Sequence, residues 1–215
     1  MADRLLFSKT GRAKYISHLD MMRTFQRAFA RAHIAIKHTE GFNPHPFLTF
    51  ALPLSLGTAG MRESVDIKLT EDMPLDTLCE RLNGCLPEGL RIIDAAPPVK
   101  KATEITHSLY RIAISGSDDI ATALEAFLSS EEIVTQKKNK KKKLVDINLK
   151  PAIKEFSVSK TDDGALLCIA LSSGCTENVN PSLVLDAFSN QTGHALDYVD
   201  IIRERILCGD SGDFE

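Results

Sequence analysis

The segment AAPPVKKATE, residues 95–104, separates two halves that carry the same order of hydrophobic periodicities. That recurrence restricts the fold more than any other feature of the sequence. The paired prolines and the absence of an apolar period mark the segment as a linker. Before it, the spacing predicts a strand at Arg4 to Ser8, a helix from Ser17 to about His33, and strands at Ile34 to His38, Phe47 to Leu52 and Ser64 to Leu69. A helix at Pro74 to Leu86 and a strand at Leu90 to Ala95 follow. After the linker come a strand at His107 to Ser115, a helix at Asp118 to Ser129, and strands around Ile133, Lys143 to Leu149, Ile153 to Lys160 and Ala165 to Leu171. A second helix opens at Asn180-Pro181, an N-cap and N1 pair. The last segment, from Tyr198 to Ile206, fits both periods and is assigned to strand because the first half ends in one.

Each half therefore reads roughly βαββαβ. The expected fold class is α+β: two ferredoxin-like domains in tandem, residues 1–97 and 106–207, with antiparallel sheets and helices on one face. Such a sheet leaves its other face bare for a partner or an extended ligand. At 215 residues and 43% hydrophobic content the chain is long enough for two such cores. It holds no run of about 18 apolar residues, and its start lacks a signal-peptide pattern, so the expected location is cytoplasmic, with no membrane partner.

Charge is unevenly placed. Residues 1–38 hold eight Lys or Arg against two Asp, a balance of +6, which leaves −9 for the rest of a chain whose net charge is −3. In the first helix, at about 100° per residue, Met21, Met22, Phe25, Ala28, Phe29 and Ala32 fall within about 120°. Arg23, Arg27 and Arg31 lie opposite, about 6 Å apart along the axis, close to the spacing of phosphates on one nucleic-acid strand. Lys9, Arg12 and Lys14 precede the helix, and no glutamate interrupts it. A guanidinium fork suits phosphate oxygens, so this face is a candidate nucleic-acid contact. The competing reading is a solvated face with Asp20 pairing to Arg23 or Arg27. A second basic block, six lysines between Lys137 and Lys143, reads as a lysine-rich hairpin tip.

The heptapeptide GFNPHPF, Gly41 to Phe47, is held stiff by Pro44 and Pro46. A displayed loop of this kind fits recognition, with Phe42 and His45 stacking on a base, Asn43 reading a base edge and Gly41 allowing close backbone approach. A structural turn anchored by Phe42, or a catalytic loop, remain alternatives. His18 and His45 together would suit metal-independent cleavage of RNA. Helical phase instead turns His18 toward Phe25 and Met22, as expected for a partly buried structural histidine. His33, His38 and Asp20 have no metal-ligand spacing. The five cysteines, at 79, 85, 168, 175 and 208, form no CxxC or CxxxCxxC pattern and read as reduced thiols, with Cys168 in the core run ALLCIAL. No metal or cofactor is expected in this chain.

The stretch from Phe7 to Gly57 resembles the opening of a bacterial family associated with radical S-adenosylmethionine (SAM) enzymes. The match rests on Lys9, Gly11, Ser17-His18-Leu19-Asp20, the helix arginines, Gly41 through Pro46, and Leu52-Pro53-Leu54. The resemblance implies a partner rather than a chemistry. A radical SAM enzyme would hold the S-adenosylmethionine and the iron–sulfur cluster, in an RNA or ribosome-related context. The expected function is a non-catalytic RNA-binding accessory to that enzyme. The alternatives are an adaptor docking on the enzyme itself and a metal-independent ribonuclease.

Overall fold

The computed structural model describes residues 2–138, 144–175, 177–209 and 212–214. The chain divides into two compact units, residues 1–105 with 203–215, and residues 106–202. Both are mixed α+β with antiparallel strand pairing, and four α-helices lie among the described residues.

The first unit runs β1 (Ala2–Lys9), α1 (His18–Arg31), β2 (Leu48–Phe50), β3 (Ala59–Lys68), α2 (Leu75–Asn83) and β4 (Leu90–Ala96). Its strands are ordered β4-β1-β3-β2, with Leu5 opposite Val65 and Ala95, and Leu48 opposite Ile67. Because strand side chains alternate faces, Leu5, Phe7, Val65, Ile67 and Ile92 form one apolar surface. Met21, Phe25, Ala28 and Phe29 of α1 and Leu78 and Leu82 of α2 close over it. The same alternation carries Lys9 and Glu63 inward.

The strand expected at Ile34 to His38 is reduced to two isolated bridges, Ile36 with Leu69 and His38 with Pro46. The chain turns at His33, whose φ is 51°, and Pro46 has no amide to extend a ladder. Nor is the second sheet face bare near Arg4. That side chain is buried and donates to Asp66 Oδ1 at 2.7 Å and to the Lys100 carbonyl at 2.9 Å, with Phe214 lying 4.1 Å over its guanidinium. The residues after β10 (Tyr198–Cys208) supply this cover: Phe214 packs with Leu52, Ile105, Ile206 and Cys208.

The second unit contains β5 (Ile105–Ser115), α3 (Ile120–Ser129), a hairpin of β6 (Val134–Lys138) and β7 (Leu144–Asn148), then β8 (Ile153–Thr161), β9 (Gly164–Ser172), α4 (Pro181–Thr192) and the start of β10. The order is β10-β5-β9-β8. Ile112, Leu167 and Ile169 face Leu124, Leu128 and Phe188. Asn180 caps α4, its side chain accepting from the Ser182 amide at 3.1 Å, and Gly193 ends it at φ 76°. Cys168, expected in the core, is exposed. It alternates with Leu167 and Ile169 and so points from the other face of β9. Of the lysine block, residues 139–143 and the side chains of Lys137 and Lys138 lie outside the described part.

Gly89, in the LPEGL turn, has φ 84°, and a Cβ there would meet the Thr10 carbonyl oxygen and lie 2.9 Å from the Ala13 Cβ. Its own carbonyl is fixed too, accepting from the Thr10 amide at 2.8 Å. Gly89→Ala is expected to cost about 1–3 kcal/mol, read as a lower urea midpoint at unchanged slope.

Candidate functional site

Helix α1 starts where Ser17, in extended conformation, turns its hydroxyl back on the helix: Oγ accepts from the Asp20 amide at 3.2 Å and donates to Asp20 Oδ2 at 2.7 Å. Asp20 also accepts from Arg23 Nη1 at 3.1 Å. The Ser17 hydroxyl first, and then the Arg23 guanidinium, hold the Asp20 carboxyl below the usual aspartate range. Arg23 is thus partly committed along the helix, in an exposed pair worth little to stability. Arg27 and Arg31 are exposed and make no hydrogen bond or ion pair among the described residues. At the other end of α1, Arg81 of α2 donates to the carbonyls of Ala32 and His33, closing the last turn with a cation. No local sequence signal marks Arg81 for this role.

The 41–47 loop stands on a short ladder. The Thr39 amide donates to the His45 carbonyl and the Phe47 amide to the Lys37 carbonyl, both at 2.8 Å. His45 is fastened at its base: its amide donates to Thr39 Oγ1 at 3.2 Å, and its Nδ1 lies 3.1 Å from that hydroxyl and 3.2 Å from the Asn43 carbonyl. Phe42 is fully exposed, not an anchor in the core. Asn43 and His45 are exposed with it. Gly41 is required by its backbone, at φ 127°, rather than by close approach, because a Cβ there would meet nothing within 4 Å. Phe47 turns back, with Lys68 Nζ 4.3 Å over its ring.

Of the cations expected to precede the helix, Arg12 is exposed and Lys14 half-buried, its Nζ 5.3 Å from the Tyr15 ring. Lys9 is not part of the exposed ridge. It is 2% exposed and donates to the Ile16 carbonyl at 2.9 Å. Burial lowers its pKa, against an opposing pull from Glu63. Glu63 in turn is bridged by Arg203, whose Nε lies 2.9 Å from Oε1 and Nη2 2.5 Å from Oε2; both side chains are at most 4% exposed. Lys9 and Glu63 line a small cleft with Phe7, Met21, Phe50 and His18. His18 is exposed rather than partly buried, its ring edge-on to Phe50 at 5.3 Å. His45 is not among the residues of that cleft. Among the described residues, no group of three or more His, Cys, Asp or Glu is gathered as for a metal ion. No helix there is long and apolar enough to cross a membrane.

A larger cleft, about 300 Å³, opens on the flank of α1, between Gln26 and Ala30 on one side and Ala35, Ile36, His38 and Pro46 on the other. The arginine face, this cleft and the loop adjoin one another through shared segments, since His38 and Pro46 are the bridge at the loop's foot.

Residues 4–181 match the model of a family described as an uncharacterized protein conserved in bacteria (DUF2344). The chain belongs to this family. The family description carries no link to radical SAM enzymes. No curated protein matches the chain. A crystal structure of an unknown protein from Galdieria sulphuraria is similar at 13% identity over 93% of this chain and 95% of that one, with a TM-score of 0.27, a level from which nothing follows for this chain.

Proposed function

We propose that this protein is a non-catalytic RNA-binding accessory that helps a radical SAM enzyme engage an RNA or ribosome-related substrate. The observation that carries the reading is the exposed α1 face, with Arg27 and Arg31 unbridged among the described residues, beside a stiff loop that displays Phe42. Cations placed at phosphate spacing and an aromatic ring held out at little ordering cost are the two elements of single-strand binding. The radical SAM partner rests on the sequence resemblance. The two units are read as tandem ferredoxin-like domains, supported by the matching orders β4-β1-β3-β2 and β10-β5-β9-β8.

Each phosphate contacted by a cation contributes about −0.7 to the slope of log affinity against log salt for single strands. The triple variant R23Q/R27Q/R31Q is expected to flatten that slope by about 2, measured by anisotropy of a labelled oligoribonucleotide across a salt series. An unchanged slope refutes the assignment. The adaptor reading has its own support. Tyr15, Leu19 and Leu56 are exposed apolar residues around the start of α1, and the Gly57 amide donates to the Lys14 carbonyl, tying the segment that follows Leu56 to the one that carries Tyr15. Capture of the purified enzyme by nuclease-treated protein, with no RNA retained at low salt, selects that reading.

A further inference from the structure

The cleft beside α1 lies next to the arginine face and has a lining of a different character. Its floor is apolar, from Phe29, Ile34 and Ile36, and its two rims carry Gln26 and His38. On the helix, Gln26 lies three residues beyond Arg23, and Ala30 three beyond Arg27, so each is one turn from an arginine. A ligand whose charge rests on those guanidinium groups therefore has an apolar recess immediately beside it. At about 300 Å³ the recess is at the small end of ligand-binding pockets.

We infer that this cleft takes one unstacked nucleobase of a single-stranded RNA whose phosphates rest on Arg23, Arg27 and Arg31. The inference rests on the RNA reading above and adds to it a choice of strand state. Charge complementarity selects the occupant: a polyanion that also carries flat apolar faces is single-stranded nucleic acid, whereas a duplex keeps its bases stacked inside. The Gln26 amide offers both a donor and an acceptor to a base edge, and His38 offers a ring nitrogen. Both rims belong to the first unit, so the recess needs no other part of the chain.

The test compares one fluorescein-labelled ten-nucleotide RNA, single-stranded and annealed to its complement, at equal salt. The wild type is expected to hold the single strand at least about 10-fold more tightly. Ala30→Phe fills the cleft from the helix side and Ala35→Leu from the opposite side, both at exposed positions. Each is expected to weaken single-strand binding about 10-fold while leaving duplex affinity and the salt slope unchanged, as loss of one base contact does. In the wild type, an RNA carrying 4-thiouridine is expected to photocrosslink within residues 26–46. Single-strand binding that survives both fillings, or crosslinks only outside that segment, overturns the cleft while leaving the arginine contact standing. No binding of either RNA at low salt overturns both.

Discussion

Glu63→Gln is expected to destabilise the protein by about 3–5 kcal/mol, because it leaves two buried cations facing an uncharged amide. Glu63 accepts both Nε and Nη2 of Arg203, and Arg203 also donates to the Leu52 carbonyl, all within the first unit and with both side chains at most 4% exposed. Lys9 adds its ammonium to the same cluster. Breaking a buried pair by removing one partner costs far more than replacing both with apolar groups. The double variant E63L/R203M should accordingly lose less than E63L alone; an equal or greater loss would show that the pair is not the source of the effect. Chemical denaturation in urea reads all three variants.

The same cluster sets a pH dependence. The folded Lys9 has a pKa below its unfolded value of 10.5, chiefly from burial, so between the folded and unfolded pKa values the unfolded chain binds more protons. The Lys9 contribution to stability is least favourable below the folded pKa and improves as pH rises toward 10.5. Without Glu63, whose charge supports the ammonium, the folded pKa falls further. The deficit of Glu63→Gln should therefore shrink as pH rises into the alkaline range, and a deficit that grows there would contradict a protonated Lys9.

Much of the scaffold could be read from periodicity. Helix α1 was legible because its apolar and arginine faces are cleanly separated, and the exposure of Arg23, Arg27 and Arg31 follows from that phase. The inward course of Lys9 is written in the pleat and not in its charge: Leu5, Phe7 and Lys9 share one face of β1, and that alternation carries the lysine under the helix. Cys168 is the converse case, one member of an apolar run that the pleat turns outward. Other features had no local signal at all. Arg203 finds Glu63 across 140 residues of sequence, and Phe214 reaches Arg4 from beyond the last element that periodicity defines. The flank cleft is a product of tertiary approach: Gln26 and Ala30 look unremarkable on a helix until Ala35, His38 and Pro46 are brought against them.

Phe25→Ala is expected to cost about 3–5 kcal/mol, and the reason bears on function. Phe25 is fully buried at the centre of an aromatic group, its ring 5.2 Å from Phe7 and 5.5 Å from Phe50 in edge-to-face contact, and Phe50 in turn meets His18. These contacts fasten α1 to β1 and β2, so they fix where the arginine face lies relative to the loop that follows. Phe25→Leu keeps most of the apolar volume and gives up the ring contacts, worth about 0.5–1.5 kcal/mol per pair. It should therefore fall between wild type and Phe25→Ala in urea midpoint. Neither variant removes a cation. If the helix acts as a platform for charge, both should keep the salt slope of RNA binding under conditions where they remain folded, with affinity lost only through looser placement. A change of slope in Phe25→Leu comparable to that of R23Q/R27Q/R31Q would show instead that phosphate contact depends on groups the aromatic core positions elsewhere.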